Sequence, residues 1–124
     1  MWQECAMSRN RPGLEKAVLQ IKEIRKQFWT DVKVTGLEHE MNTELEKALR
    51  LADFIELAEL MCIDALQREE SCGAHFREEY QTSEGEALRN DKDFAYVSAW
   101  EYNEGDFILH KEHLEFEYEI PTVR

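Results

Sequence analysis

The sequence predicts a mainly α fold: an antiparallel helical bundle of three helices, spectrin-repeat-like with the first helix truncated, followed by a C-terminal β-hairpin. Three observations carry this reading. Leu14, Ala17, Val18, Ile21, Phe28 and Val32 recur at three- and four-residue steps, the period of one helical face. A nearly continuous apolar run reaches Leu66 from a capping pattern at Thr43 and Glu46, the signature of a helix start. From Phe94 onward the period changes to two, as on a strand whose successive side chains point to opposite faces.

Composition sets the outer bounds. A chain of 124 residues suits one domain with one core, burying roughly two thirds of the surface it exposes when unfolded. Fifteen basic and 27 acidic side chains give a formal charge of −12, which repels the phosphates that a nucleic-acid binder neutralises with lysine and arginine. No apolar run approaches the roughly 20 residues that span a bilayer, and no basic region followed by a hydrophobic stretch opens the chain. Cys5, Cys62 and Cys72 are an odd set without metal-type spacing, which fits a reducing compartment.

In chain order, Trp2, Cys5, Ala6 and Arg9 fall at helical spacing without a cap, so residues 1–9 read as the end of a truncated helix. Asn10 is a good cap and Pro12 suits a first helical turn, which starts a helix over residues 10–34. Ile24 and Trp29 flank its apolar stripe, and Glu15, Lys16, Lys22, Glu23 and Lys26 face water. Thr35-Gly36 ends it and Leu37 to Met41 connects. The long helix spans residues 43–72, capped by Thr43 or Asn42. Leu49, Leu51, Phe54, Ile55, Leu57, Leu60, Met61 and Ile63 lie on most of its sides, so it is expected to pack on more than one face. Asp53, Glu56 and Glu59 share one acidic stripe with Asp64 near its edge, a solvated face or a docking stripe for basic side chains. Gly73 lets the chain turn away in the left-handed region. Residues 81–93 read as a surface loop. The hairpin covers residues 94–120: a first strand with Phe94, Tyr96, Ser98, Trp100 and Tyr102 on one side, a turn at Asn103-Glu104-Gly105-Asp106, and a second strand at Leu114, Phe116, Tyr118 and Ile120, stopped by Pro121.

Each chemical constellation has a plainer structural reading. Cys72, His75 and Arg77 suggest acid–base or thiolate chemistry, but one short segment supplies neither a placed base nor an oxyanion donor. Cationic groups at a helix end that meet the negative pole of its dipole and anchor a loop are the preferred account. His110 and His113 stand three apart, so on a strand they point to opposite faces and cannot share a metal, and no cysteine completes a set. Trp29, Phe54, Trp100, Phe116 and Tyr118 read as core. Five glycines scattered singly provide no phosphate-binding loop. No catalytic, cofactor-binding or metal residue is therefore assigned.

Glu70-Ser71-Cys72-Gly73-Ala74-His75, with Arg77 two places on, resembles a segment near the carboxyl end of the flavoprotein subunit of succinate dehydrogenase and fumarate reductase. Cys72 departs from it, standing where most relatives carry arginine. Asn42, Thr43, Glu44 and Leu45 are similar to the family's start of the long helix, and Arg9, Gly13 and Leu14 follow its order. The resemblance implies the carboxyl-terminal domain of a larger enzyme that interconverts succinate and fumarate. Electrons pass through covalently held FAD to an iron–sulfur subunit and then to quinone. It implies that the flavin and substrate sit in preceding FAD-binding and capping domains, that this domain binds no FAD itself, and that Ser71, Gly73, Ala74, His75 and Arg77 dock it on them. It also implies a peripheral place on the cytoplasmic side of the inner membrane, reached through the complex. Aspartate oxidases share a similar helical domain; the sequel Arg77-Glu78-Glu79-Tyr80 and the hairpin tail favour the dehydrogenase branch. The competing reading from the residues is a free-standing acidic adaptor that binds a basic protein through Asp53, Glu56 and Glu59. A bare apolar patch on the long helix would count against that adaptor, which should bury such a face.

Overall fold

Asn10 fixes the start of the first long helix. Its backbone is extended and its Oδ1 accepts the Gly13 N–H at 2.9 Å, satisfying one of the donors that a helix start leaves free. Helix α1 then runs Arg11–Asp31 in the computed structural model, which describes residues 1–37, 39 and 41–119. Leu14, Ala17 and Ile21 are buried along the expected stripe, and Val18 and Phe28 pack against it. Val32 instead caps the carboxyl end of α1 and is exposed, as is Trp29.

The connection read from Leu37 to Met41 lies partly outside the described residues. At its end Asn42, rather than Thr43, caps the second helix: its Oδ1 accepts the N–H groups of Glu44 and Leu45, both at 3.1 Å. Helix α2 covers Thr43–Gln67, about 37 Å at 1.5 Å per residue. It runs antiparallel to α1, with Arg11 paired to Glu69 at one end and Arg25 to Glu59 further along. Cys5, Leu14, Ala17, Ile21, Ile55, Cys62 and Ala65 form the core between the helices and the amino-terminal turn.

Three elements before the hairpin differ from their sequence expectation. Residues 1–7 make turns, with the Cys5 N–H donating to the Met1 carbonyl at 2.8 Å, and Ser8–Arg9 is a short strand, β1. It pairs in parallel with β2, Phe76–Arg77. The chain is drawn into extended backbone by this partner, which local spacing cannot reveal. Helix α2 stops at Gln67, not residue 72, because the Arg77 guanidinium takes its last carbonyls, as described below. The third helix among the described residues is the four-residue α3, Asp91–Phe94, which starts in the stretch read as loop and ends on the first residue read as hairpin.

The hairpin follows as β3, Tyr96–Asn103, and β4, Asp106–His113, antiparallel with Asn103 opposite Asp106 and Tyr96 opposite His113. Glu104 and Gly105 have φ of 50° and 103°, the paired positive values of a two-residue hairpin turn whose twist suits the strands. That turn forces the second strand to begin at once. Leu114, Phe116 and Tyr118 therefore lie beyond β4, exposed, since β3 has no residues left to face them. Ile120 and Pro121 lie outside the described residues. The hairpin is tied to the carboxyl end of α2: the Trp100 indole N–H donates to Asp64 at 2.8 Å. The Arg68 guanidinium donates to the Phe94 and Tyr96 carbonyls, each at 3.1 Å, while lying over the Tyr96 ring.

Candidate docking face

The segment after α2 folds back on itself. The Cys72 N–H donates to the His75 carbonyl at 2.8 Å and the His75 N–H returns to the Cys72 carbonyl at 3.0 Å. Gly73, at φ 57°, and Ala74 form the exposed tip. Below it Ser71 and Arg77 are enclosed by the chain, both with 0% exposure. Ser71 Oγ accepts the Arg77 N–H at 2.8 Å and donates to the Arg77 carbonyl at 3.1 Å. Arg77 Nη1 donates to the carbonyls of Ala65 and Leu66 at 2.9 and 3.2 Å, Nε donates to Glu79 at 3.0 Å, and the guanidinium lies over the Tyr80 ring. A buried cation thus caps the carboxyl end of α2, where the helix dipole is negative.

His75 is wedged between two arginines' segments. Its Nε2 lies 3.0 Å from the Arg68 carbonyl and its Nδ1 3.3 Å from Arg9 Nη1. A carbonyl can only accept and a guanidinium can only donate, so the ring is neutral with its proton on Nε2. Burial lowers the pKa of His75, the Arg68 carbonyl opposes this, and the charges of Arg9, Arg77 and Arg68 lower it further. Two carboxylates stitch this turn to the start of α1. Glu78 accepts from Asn10 and Ser8, which hold its carboxyl below the usual range. Partial burial pushes the Glu79 carboxyl up, but the Arg11 N–H, its own backbone and Arg77 together bring it below the usual value.

Beside the tip lies an open groove of about 800 Å³, whose walls include Met1, Trp2, Cys5, Met7, Met61 and Ala74. Trp2 and Met7 are 90% and 81% exposed, and on α2 Phe54, Leu57 and Met61 continue the apolar surface at helical spacing. Of the several faces on which α2 is expected to pack, α1 takes one, the hairpin meets only the carboxyl end through Trp100 and Arg68, and this row faces outward. Cys5 is part of the groove wall, and the fully buried Cys62 places its Sγ 3.5 Å from Met1 Sδ. The Cys62 side chain and the positive Arg9 lower the pKa of the Cys5 thiol against its burial, whereas the Cys5 side chain and burial raise that of Cys62.

Of the residues singled out in the sequence, the structure brings Ser71, Gly73, Ala74, His75 and Arg77 into one turn, with Gly73 and Ala74 outward and Ser71 and Arg77 inward. Asp53 and Glu56 are exposed, but Glu59 leaves their stripe: it is buried and pairs with Arg25 and, at 3.7 Å, with Lys22 of α1. Its spacing from Ile55 and Cys62, the core face, was the available signal. His110 pairs with Glu101 at 2.7 Å, and His113 lies three places on along β4. Among the described residues no three His, Cys, Asp or Glu side chains converge on a metal position, and no helix is long and apolar enough to cross a membrane. The parts played by Arg9, Arg68 and Trp100 were missed, because each works through a partner distant in the chain.

The family model described as the fumarate reductase flavoprotein C-terminal region matches residues 1–124. An uncharacterised FAD-dependent oxidoreductase of Methanocaldococcus jannaschii is 35% identical over 86 residues, which is 69% of this chain and 15% of that protein. A fumarate reductase (CoM/CoB) subunit of Methanothermobacter marburgensis is 35% identical over 91 residues, 73% of this chain and 16% of the relative. In structure, a variant of the FrdA chain of Escherichia coli quinol fumarate reductase superposes with a TM-score of 0.85 at 25% identity, over 99% of this chain and 20% of that one. The chain thus spans about a fifth or less of the length of these relatives.

Proposed function

We propose, from the premise that this chain belongs to the fumarate reductase flavoprotein C-terminal family, that it serves as the helical buttress of a flavoprotein that interconverts succinate and fumarate. The observation that carries this is the superposition on a quinol fumarate reductase chain over nearly the whole length of this one. FAD supplies the electron transfer in the full protein and passes electrons to an iron–sulfur subunit and then to quinone, at the cytoplasmic side of the inner membrane. FAD does not fit the residues described here. Asn10 and Asn42 already occupy the N-terminal donors of α1 and α2, and the glycines at positive φ, Gly36, Gly73, Gly85 and Gly105, lie in separate turns. A pyrophosphate cradle needs open N–H groups at a helix start beside clustered glycines. No step of the reaction is therefore assigned to this chain.

Its part is to dock on the FAD-binding and capping domains. The face for this is the tip of Gly73 and Ala74 with the His75 edge, continued by Trp2, Met7, Met61, Leu57 and Phe54; Ser71 and Arg77 hold the tip from beneath. Apolar surface of this extent marks an interface, and its presence on α2 speaks against a self-contained acidic adaptor. So does the burial of Glu59, which removes one third of the adaptor's stripe. The test compares this chain with the full-length flavoprotein that contains it. With FAD and succinate, or with fumarate and a reduced viologen dye, turnover is expected from the flavin-loaded full protein and none from this chain. Turnover by the chain alone would refute the buttress role, and a flavin-loaded full protein inert toward both acids would refute the activity.

A further inference from the structure

We propose that Arg9 is the anchor for a carboxylate on the surface that covers the groove: an aspartate or glutamate of the FAD-binding or capping domain, carried on an otherwise apolar segment. This rests on the docking reading above and names the chemistry of the covering surface. Among the described residues that line the groove, Arg9 is the one charged side chain, set between Trp2, Ala6, Met7 and Met61. Its guanidinium is held on two sides. Nε donates to the Ala6 carbonyl at 3.0 Å, and Nη1 lies 3.3 Å from His75 Nδ1, the accepting nitrogen of the neutral ring. Nη2 is neither bonded to the described residues nor enclosed by them, so N–H groups on Nη1 and Nη2 remain open.

The described chain offers this cation no anion of its own. Arg11, Arg25, Arg50, Arg68, Arg77 and Arg89 each pair with a carboxylate, and Arg9 alone among the described arginines does not, although the formal charge of the chain is −12. The carboxylates of the adjoining turns are committed: Glu78 accepts from Ser8 and Asn10, and Glu4 from Lys16. Open to solvent, the remaining Arg9 donors are hydrated. Once a domain closes over the exposed Trp2 and Met7, that hydration is lost, and a guanidinium enclosed without an anion is strongly unfavourable. The enclosed Arg77 meets the same requirement with helix carbonyls and Glu79. For Arg9 the anion comes from the covering surface, and a carboxylate matches its planar fork. Around that carboxylate the covering segment is apolar, as the groove is.

The full-length, flavin-loaded protein that contains this chain is made with Arg9→Lys and treated with a water-soluble carbodiimide, which joins an amine to a carboxylate in contact with it. The products are mapped by peptide mass spectrometry, with the parent as control because arginine does not couple. The expected product is a cross-linked peptide in which the introduced lysine is bound to an aspartate or glutamate of the FAD-binding or capping domain. Hydroxyl-radical oxidation of the parent separates this inference from the docking reading: Trp2 and Met7 should be oxidised in the 124-residue chain and lose that oxidation in the full protein. Protected Trp2 and Met7 with the lysine coupled only to acids of its own chain segment, or not coupled, would overturn the carboxylate and leave the docking face standing. Unprotected Trp2 and Met7 would sink both. Coupling between two copies of the protein would make the groove a self-association surface and refute the pairing. If the lysine variant does not load flavin, Arg9→Gln takes its place. It is expected to release a fragment of about this chain's size at roughly tenfold or more lower protease than the parent, and resistance equal to the parent's would refute the pairing.

Discussion

Arg77 joins the two ends of the fold at a single residue. Enclosed by its own chain, it donates to the last carbonyls of α2 and reaches Glu79, which in turn accepts from the start of α1. Arg77→Met removes the cation and leaves those carbonyls and the Glu79 tie unsatisfied, a loss of about 3 kcal/mol or more. Arg77→Lys, a point charge without the planar fork, should recover only part of it in urea unfolding. His75 gives a pH signature beside it. Its folded pKa lies below its ordinary 6.5, so as pH falls below that value the unfolded chain binds the proton first and stability drops. The contribution is complete above pH 6.5 and is lost as pH falls through the folded value. In His75→Gln this limb should vanish from a stability–pH series. The carboxylates Glu78 and Glu79, depressed from 4.5, act only at lower pH, where stability falls as they protonate.

At the scale of elements, the hairpin depends on its ties to α2, because an isolated two-stranded hairpin is marginal in water. Trp100→Phe deletes the bond to Asp64 while keeping an aromatic body, at about 1 kcal/mol. Amide hydrogen exchange should accelerate in β3 and β4 with α1 and the first half of α2 unchanged; uniform acceleration would mean that the hairpin unfolds only with the whole domain. The same ties show which elements were legible in advance. The two long helices and the 103–106 turn were readable because caps, helical periodicity and turn residues are local signals. The end of α2 was not, since its carbonyls are satisfied by Arg77 from beyond the turn, and no residue near 67 announces a stop. The second strand was misplaced because the cleaner alternation at 114–120 outweighed the shorter loop that the twist of a hairpin prefers. The candidate face was half legible: its tip stands in the Ser71–Arg77 segment, whereas Trp2, Met7 and the row on α2 become one surface only when β1 meets β2.

The whole molecule has a lopsided surface: α1 packs along one side of α2 and the hairpin meets only its carboxyl end, while Phe54, Leu57 and Met61 stay 61%, 53% and 49% exposed. Substitutions at such positions away from caps and core usually change stability by within about 0.5 kcal/mol. Phe54→Gln with Leu57→Gln is therefore expected to leave the melting of the isolated chain unchanged and to reduce its tendency to self-associate. In the full-length flavoprotein the same pair should act quite differently. If the row is covered by the flavin domain, each side chain there contributes burial on the order of 1.5–3 kcal/mol, so the double variant loosens the domain contact. Limited proteolysis should then release a fragment of about the size of this chain at protease levels that leave the parent intact, while covalent or bound flavin is retained. A full-length variant as resistant as the parent would place the docking surface off this row, on the Gly73–Ala74 tip with Trp2 and Met7 or on the exposed hairpin around Glu101, Glu104 and Glu112.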